Sequence, residues 1–388
     1  MHRGETGHYR ITTHGGEEVR AFVPQPLPPE PPLQFDGPLL KALEAANRSL
    51  GRLDGISTLL PDKSLFLYHY VRKEAVLSSQ IEGTQSSLTD LLQHERGNAP
   101  GAPQDDVAEI SRYVAALEHG LRRLREDDFP LSNRLIREVH GVLLASGRGS
   151  EKTPGEFRRS QNWIGGTRPG DAEFVPPPHI EVEDCMASLE RFLHATGDGL
   201  PDLVRVGLAH VQLETIHPFQ DGNGRVGRLL ITFLLRHAGL LLDPLLYLSL
   251  YLKQNRSEYY RLLTHVRLHG DWEAWLAFFL DGVRMTADGA FATALRLAET
   301  FREDKARIAS LGRPANSALR VHDALVAHPI QSIPDVRRWT GLSYPGASAG
   351  MHRLEELGIA VEITGGKRGR IFAYSQYLDQ LSEGTEPL

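Results

Sequence analysis

A single cysteine, Cys185, stands in 388 residues, so no internal disulfide can form. That points to a reducing, cytoplasmic setting. An excess of positive charge is also missing: 43 Lys and Arg face 49 Asp and Glu, for a formal net charge of −6. The chain as a whole is no polycation for nucleic acid, and any basic surface must be local. Long apolar runs are lacking too. The most apolar stretch, Leu240 to Leu252, is broken by Asp243 and Pro244 and is too short to span a bilayer, so no membrane partner is expected. The opening Met-His-Arg-Gly-Glu-Thr-Gly-His has no apolar core behind its charge, so no secretory signal is expected. What is present, 41% hydrophobic and 24% charged residues, is the make-up of a globular chain with two or three units.

The apolar spacing is mostly helical. Residues 1–106 read as an N-terminal helical region, with Leu39, Leu40, Leu43, then Leu65, Leu67 and Val71 at helix period. Before them, Val23 to Leu33 is proline-dense and reads as an extended tether over the surface. Residues 107–309 read as a second, helical unit. Its helices are expected at 107–124, 131–144, 180–195, 203–216, 225–238, 257–268, 272–286 and 291–308. One stretch interrupts them. Asn162-Trp163-Ile164 and Glu173-Phe174-Val175 are β-prone and flank a turn at 167–171, so a hairpin flap is expected there. Past a linker at 312–318, residues 316–388 show three helical pieces and two β-prone pieces joined by Gly365-Gly366-Lys367-Arg368-Gly369, a winged-helix pattern.

One run carries the chemistry: His217-Pro218-Phe219-Gln220-Asp221-Gly222-Asn223-Gly224-Arg225-Val226-Gly227-Arg228. Gly222, Asn223 and Gly224 accept backbone angles closed to most residues, so successive amides can form an anion-binding nest. A helix starting near Arg225 would aim its free N–H groups and dipole at the same place. Arg225 and Arg228, three apart, project from nearly one face and suit phosphate oxygens. Asp221 is a hard oxygen ligand for Mg²⁺, which is typically held by one or two carboxylates plus phosphates. His217, of ordinary pKa near ~6.5, suits proton abstraction near neutrality. Singly, each residue has a plainer use as a turn, a surface charge or a structural imidazole. Together they form a site.

This run resembles the signature loop of Fic-domain proteins, with every defining position present, and the resemblance extends from about Leu59 to Val283. It implies a Fic-type helical bundle that transfers AMP from ATP to a Ser, Thr or Tyr hydroxyl of a protein target, self-modification included. His217 would be the base and Asp221 the Mg²⁺ ligand. The amides of Gly222 to Gly224 would cradle phosphates, with Val226 and Gly227 in the same helical turn, and Arg225 and Arg228 would neutralise them. Ser78-Ser79-Gln80-Ile81-Glu82-Gly83 resembles the family's inhibitory motif, which implies that Glu82 diverts Arg228 from the γ-phosphate. Gln161, Asn162, Trp163 and Ile164 resemble the target-positioning flap, and Tyr259 and Tyr260 the border of the adenine pocket. A homodimer is expected on the same ground. Two other readings stand beside AMP transfer: its reversal at the same site, and a DNA-binding regulator with a vestigial enzyme domain. The 367–370 tip is basic, but the expected recognition helix offers only His352 and Arg353 against Glu355 and Glu356.

Overall fold

Helix-period spacing dominates the chain, and helices dominate the computed structural model, which describes residues 3–56, 63–95, 104–365 and 369–387. The chain opens with strands β1 (Gly7–His14) and β2 (Glu17–Pro24), antiparallel across Gly15-Gly16. Helices α1 (Gly37–Ile56), α2 (Lys63–Ile81), α3 (Leu88–His94) and α4 (Gln104–Arg125) follow. Next come α5 (Asn133–Leu143), α6 (Val182–His194), α7 (Asp202–Ile216), α8 (Asn223–His237), α9 (Ser249–Gln254), α10 (Arg256–His269) and α11 (Trp272–Ala309). The C-terminal unit comprises α12 (Ala315–Ala327), β3 (Ile330–Ser332), α13 (Ile333–Thr340), α14 (Tyr344–Glu356), β4 (Val361–Glu362), β5 (Ile371–Ala373) and α15 (Ser375–Ser382), with sheet order β3-β5-β4.

α7 lies at the centre. All of it except Asp202 and Arg205 is buried, as expected of a helix apolar on every side. α8 packs on α7 with close backbone approach. A Cβ on Gly227 would fall 2.4 Å from the Glu214 carboxylate. α11 is the long spine, crossing α1, α7, α9 and α10 before it meets α12 and α15. Trp275 ties it to α7 by donating its indole N–H to the Gly207 carbonyl at 2.9 Å.

Several expectations need correction. Residues 7–24 are a hairpin, so 1–106 is not uniformly helical. The missed signal was Gly15-Gly16, both at positive φ (58° and 85°), the turn chemistry of a two-residue hairpin. The two helices expected at 272–286 and 291–308 are one. Gly289 costs roughly 1 kcal/mol in a helix, but Ala287, Ala290, Ala294 and Leu297 continue one buried face across it. The flap is slighter than two strands: Ile164 and Phe174 form a lone bridge around a 3₁₀ turn at Pro169–Asp171. The second linker is shorter than expected, because α12 already begins at Ala315. Lys367 and Arg368 of the basic tip lie outside the described residues.

The α4–α8 crossing gives a test. A Cβ on Gly120 would stand 2.3 Å from the Phe233 ring, which is itself buried in the core. Overpacking there outweighs the gain in helix propensity, so Gly120→Ala should cost about 1–2 kcal/mol by denaturant titration. An unchanged or raised stability would contradict this packing.

Candidate functional site

α7 ends where His217 takes a left-handed conformation (φ 49°, ψ 60°), an unusual one for a residue other than glycine. The chain loops back and restarts as α8 from Gly222, also left-handed at φ 78°. Asn223 clasps the loop: its Oδ1 accepts from the Phe219 amide at 2.8 Å, and its Nδ2 donates to the Phe219 carbonyl at 2.8 Å. Phe219 is fully buried and stacks on His140 at 3.8 Å. His140 accepts from the Gly155 amide at Nδ1 (2.8 Å), so its Nε2 carries the proton toward the Asp221 carbonyl at 3.1 Å. Burial pushes its pKa down to about 4, which keeps that tautomer neutral. From the other side, Arg158 donates through its backbone N–H to the Pro218 carbonyl (2.9 Å) and through Nε to the His217 carbonyl (3.0 Å).

The loop faces a cavity of about 720 Å³ lined by His217, Asp221 to Arg225, Arg228, Glu82, Trp163, Ile164, Tyr259 and Tyr260. His217 Nδ1 is buried against the Glu214 backbone, and the rest of the ring borders the cavity. Burial, with Arg267 and Arg158 nearby, pushes the imidazole pKa down to about 3. The ring is therefore neutral and can accept a proton. Asp221 Oδ1 caps the Gly222 amide at 2.5 Å. The carboxylate stays more than one-third exposed, which suits a hydrated cation. Arg225 is buried and ion-paired to Glu109 at 2.8 Å, and Glu109 also binds Arg148 at 3.0 Å.

Arg228 is also buried, and residues of the Ser78 to Gly83 motif gather on it. Its Nε donates to Ser78 Oγ (2.7 Å), and its Nη2 donates to the Ser78 carbonyl (3.0 Å) and to Glu82 Oε1 (2.7 Å). Burial would raise the Glu82 pKa, but the Arg228 charge and hydrogen bond win and hold it below the usual carboxylate range. Gly83, at φ 101°, turns the chain away immediately after Glu82. A Cβ on Gly224 would lie 2.4 Å from Glu82 Oε1, so the carboxylate rests directly on the first turn of α8.

The remaining candidates divide. Gln161 and Asn162 are buried braces: Gln161 donates to the Asn162 and Pro176 carbonyls, both at 3.0 Å, and Asn162 to the Phe219 carbonyl at 2.9 Å. Trp163 and Ile164 line the cavity. Tyr259 is buried. His210 gives its Nδ1 proton to the Gly227 carbonyl (3.0 Å), leaving Nε2 to accept from the Tyr259 hydroxyl (2.8 Å). Tyr260 is 40% exposed, the freer of the two rings. Val226 and Gly227 face the core. The sequence reading missed Glu109, His140, Arg148, Arg267 and Glu214. Glu214 carried a signal, since a carboxylate one helical turn before His217 interrupts an otherwise apolar segment. Burial pushes its pKa up to about 7, and at the cavity wall its Oε1 finds no hydrogen-bond partner among the described residues.

A loop with an imidazole, a carboxylate, a glycine-bent turn and a buried, ion-paired arginine is thus set between two buried helices. Residues 40–122 match the Fic/DOC family N-terminal model and residues 130–235 the Fic/DOC family model, so the chain carries Fic N-terminal and Fic domains. It is 32% identical over 212 residues to Protein adenylyltransferase Fic of Culex quinquefasciatus, which is 54% of this chain and 39% of that protein. It is 36% identical to the same-named protein of Drosophila melanogaster over equal shares, and 36% to that of Drosophila virilis over 64% of this chain and 46% of that one. The chain thus spans less than half the length of these relatives. A crystal structure of a Fic family protein from Desulfovibrio desulfuricans shares the fold at 20% identity and TM-score 0.57, covering 89% of this chain and 98% of that one. No described helix is long and apolar enough to cross a membrane.

Because the His217 ring is held neutral, its ring-nitrogen NMR shifts should stay those of a neutral imidazole down to about pH 5. A midpoint near its ordinary ~6.5 would contradict the geometry around it.

Proposed function

We propose that this chain is a protein adenylyltransferase that moves AMP from ATP to a Ser, Thr or Tyr hydroxyl and is held back by Glu82. The convergence of His217, Asp221, the first turn of α8 and Arg228 on one cavity carries this reading. The cavity is of the size usual for a nucleotide-scale ligand. The amides of Asn223 and Gly224 and the positive end of α8 favour phosphate oxygens. The half-exposed Tyr260 ring, with the Arg256 guanidinium 5.6 Å from its centroid, offers a face for the base.

In the transfer, the target oxygen attacks the α-phosphorus, the bond to the β-phosphate oxygen breaks, and pyrophosphate departs. His217 takes the hydroxyl proton on the side of its ring that borders the cavity. Asp221 would hold Mg²⁺, which supplies charge neutralisation for the phosphates. Ile164 pairs both backbone groups inward with Phe174, at 2.8 and 3.1 Å. The alternate groups at Trp163 and Gly165 are therefore the ones that can register a target strand by main-chain pairing. Glu82 sits on the turn of α8 that phosphate would use and ties down the arginine that would meet the γ-phosphate.

The C-terminal unit we read as a winged helix that meets protein rather than DNA. The basic groups around α14 are engaged by neighbouring carboxylates: Arg353 by Glu356 (2.7 Å), and His352 and Arg370 by Glu355 (3.1 and 2.9 Å).

Intact-mass analysis after ATP/Mg²⁺ treatment tests the chemistry. Glu82→Gly should gain AMP on itself faster than wild type, by about tenfold or more, and His217→Ala should gain none. No gain of the AMP mass in any variant, on itself or in lysate, would refute it. The pH sign follows from the depressed Glu82 pKa. The pair is intact above the unfolded carboxylate value near ~4.5 and weakens only as pH falls through the lower folded value. Acidification to about pH 5.5 should therefore leave the ratio of Glu82→Gly to wild-type labelling unchanged. A ratio that collapses over that interval would show that Glu82 is not held as the ion.

A further inference from the structure

The inhibitory helix α2 has two working faces. Ser78 and Glu82 point to Arg228. His69, Lys73 and Gln80, at i, i+4 and i+11, lie on the opposite face, and there they meet the end of the described chain. The Tyr377 hydroxyl of α15 meets His69 Nδ1 at 3.0 Å. Lys73 Nζ donates to the Glu383 carbonyl at 2.7 Å. Gln80 Nε2, inside the inhibitory motif itself, donates to the Thr385 carbonyl at 2.8 Å. Lys253, from α9, gives one bond to Gln80 Oε1 at 2.7 Å and others to the carbonyls of Gly384 (3.4 Å) and Glu386. Glu383 also pairs with Arg296 of α11 at 2.9 Å.

These contacts are not a chain end lying loosely on a surface. Thr385 is 1% exposed and Gln80 1% exposed. Lys73 and Lys253 are both buried, and their acceptors are mainly backbone carbonyls of residues 383–386. Removing the segment would take from Lys73 and Lys253 most of their hydrogen-bond acceptors, and from Gln80 its bond to Thr385, leaving its bonds to Ser86 and Lys253. The back of α2 would then lose much of what ties it to its neighbours.

We propose that residues 383–387 form a latch that clamps the back of the inhibitory helix and so keeps Glu82 on Arg228. The C-terminal unit thereby sets the strength of inhibition, and a protein that pulls α15 or the segment after it away from α2 switches the enzyme on. The proposal rests on the autoinhibited transferase reading for its effect on activity, but not for its effect on α2.

The test uses the full chain, a chain ending at Ser382, and Lys253→Met, which keeps most of the side-chain length and loses the ammonium. Hydrogen exchange at residues 78–83 reads the helix. ATP-dependent self-labelling reads the site. The latch predicts faster exchange in both variants and labelling raised by about tenfold, within the usual range for coupled sites. It also predicts no further rise when either change is added to Glu82→Gly. Should the shortened chain fail to fold, Lys253→Met decides alone. Unchanged exchange at 78–83 in a folded variant overturns the latch. Faster exchange without labelling, when Glu82→Gly labels well, overturns its control of activity. If Glu82→Gly itself does not label, the transferase reading has failed, and the exchange result still decides the clamp.

Discussion

A buried guanidinium cannot be left unpaired, and Arg228 is where the structure turns on that rule. It stands on α8, three positions past Arg225, and is almost wholly removed from water. Ser78 and Glu82 satisfy it from α2, 150 and 146 residues away in sequence. One arginine thus joins the loop at 217–228 to the N-terminal helices. The price of freeing it is moderated by the pocket, since Glu82 is about one-third exposed and water can take over part of the bond. An interaction of that kind can hold a site closed and still be displaced by an incoming triphosphate.

The loop itself is braced so that little of it must reorganise. The Asn223 clasp, the His140 hydrogen bond to Asp221 and the Arg158 bonds to Pro218 and His217 fix its backbone from three sides. Catalysis by positioning and electrostatics depends on groups already in place. Burial near two cations keeps the His217 ring neutral, the state the proposed proton transfer needs. The N-terminal hairpin extends the bracing to the flap: Phe22 donates its amide to the Val175 carbonyl at 2.9 Å, and Val19 and Ala21 pack with Val175 against Trp163.

The loop was legible because its function is local. Glycine-bent backbone, a helix start and charges at fixed spacing are all written within twelve residues. Glu82 was legible only through resemblance, because nothing in its own neighbourhood names Arg228 as partner. What stayed hidden depended on distant packing. Glu109, His140 and Arg267 look like ordinary surface residues until α4, α5 and α10 bring them to the loop. The roles of Gln161 and Asn162 as braces depend on backbone carbonyls that sequence cannot place. The uninterrupted α11 was missed because a local Asp-Gly signal was outweighed by a buried stripe of alanines packed on α1. The hairpin at 7–24 was the avoidable miss, since paired glycines between alternating strands say as much without any tertiary context.

A crystal structure of the Glu82→Gly variant with ATP and Mg²⁺ tests the central claim most directly. The account predicts the β- and γ-phosphates on the first turn of α8, Arg228 turned from Ser78 to the γ-phosphate, and the α-phosphorus within attacking reach of a hydroxyl beside His217. A triphosphate bound away from that turn, with Arg228 unmoved, would contradict it.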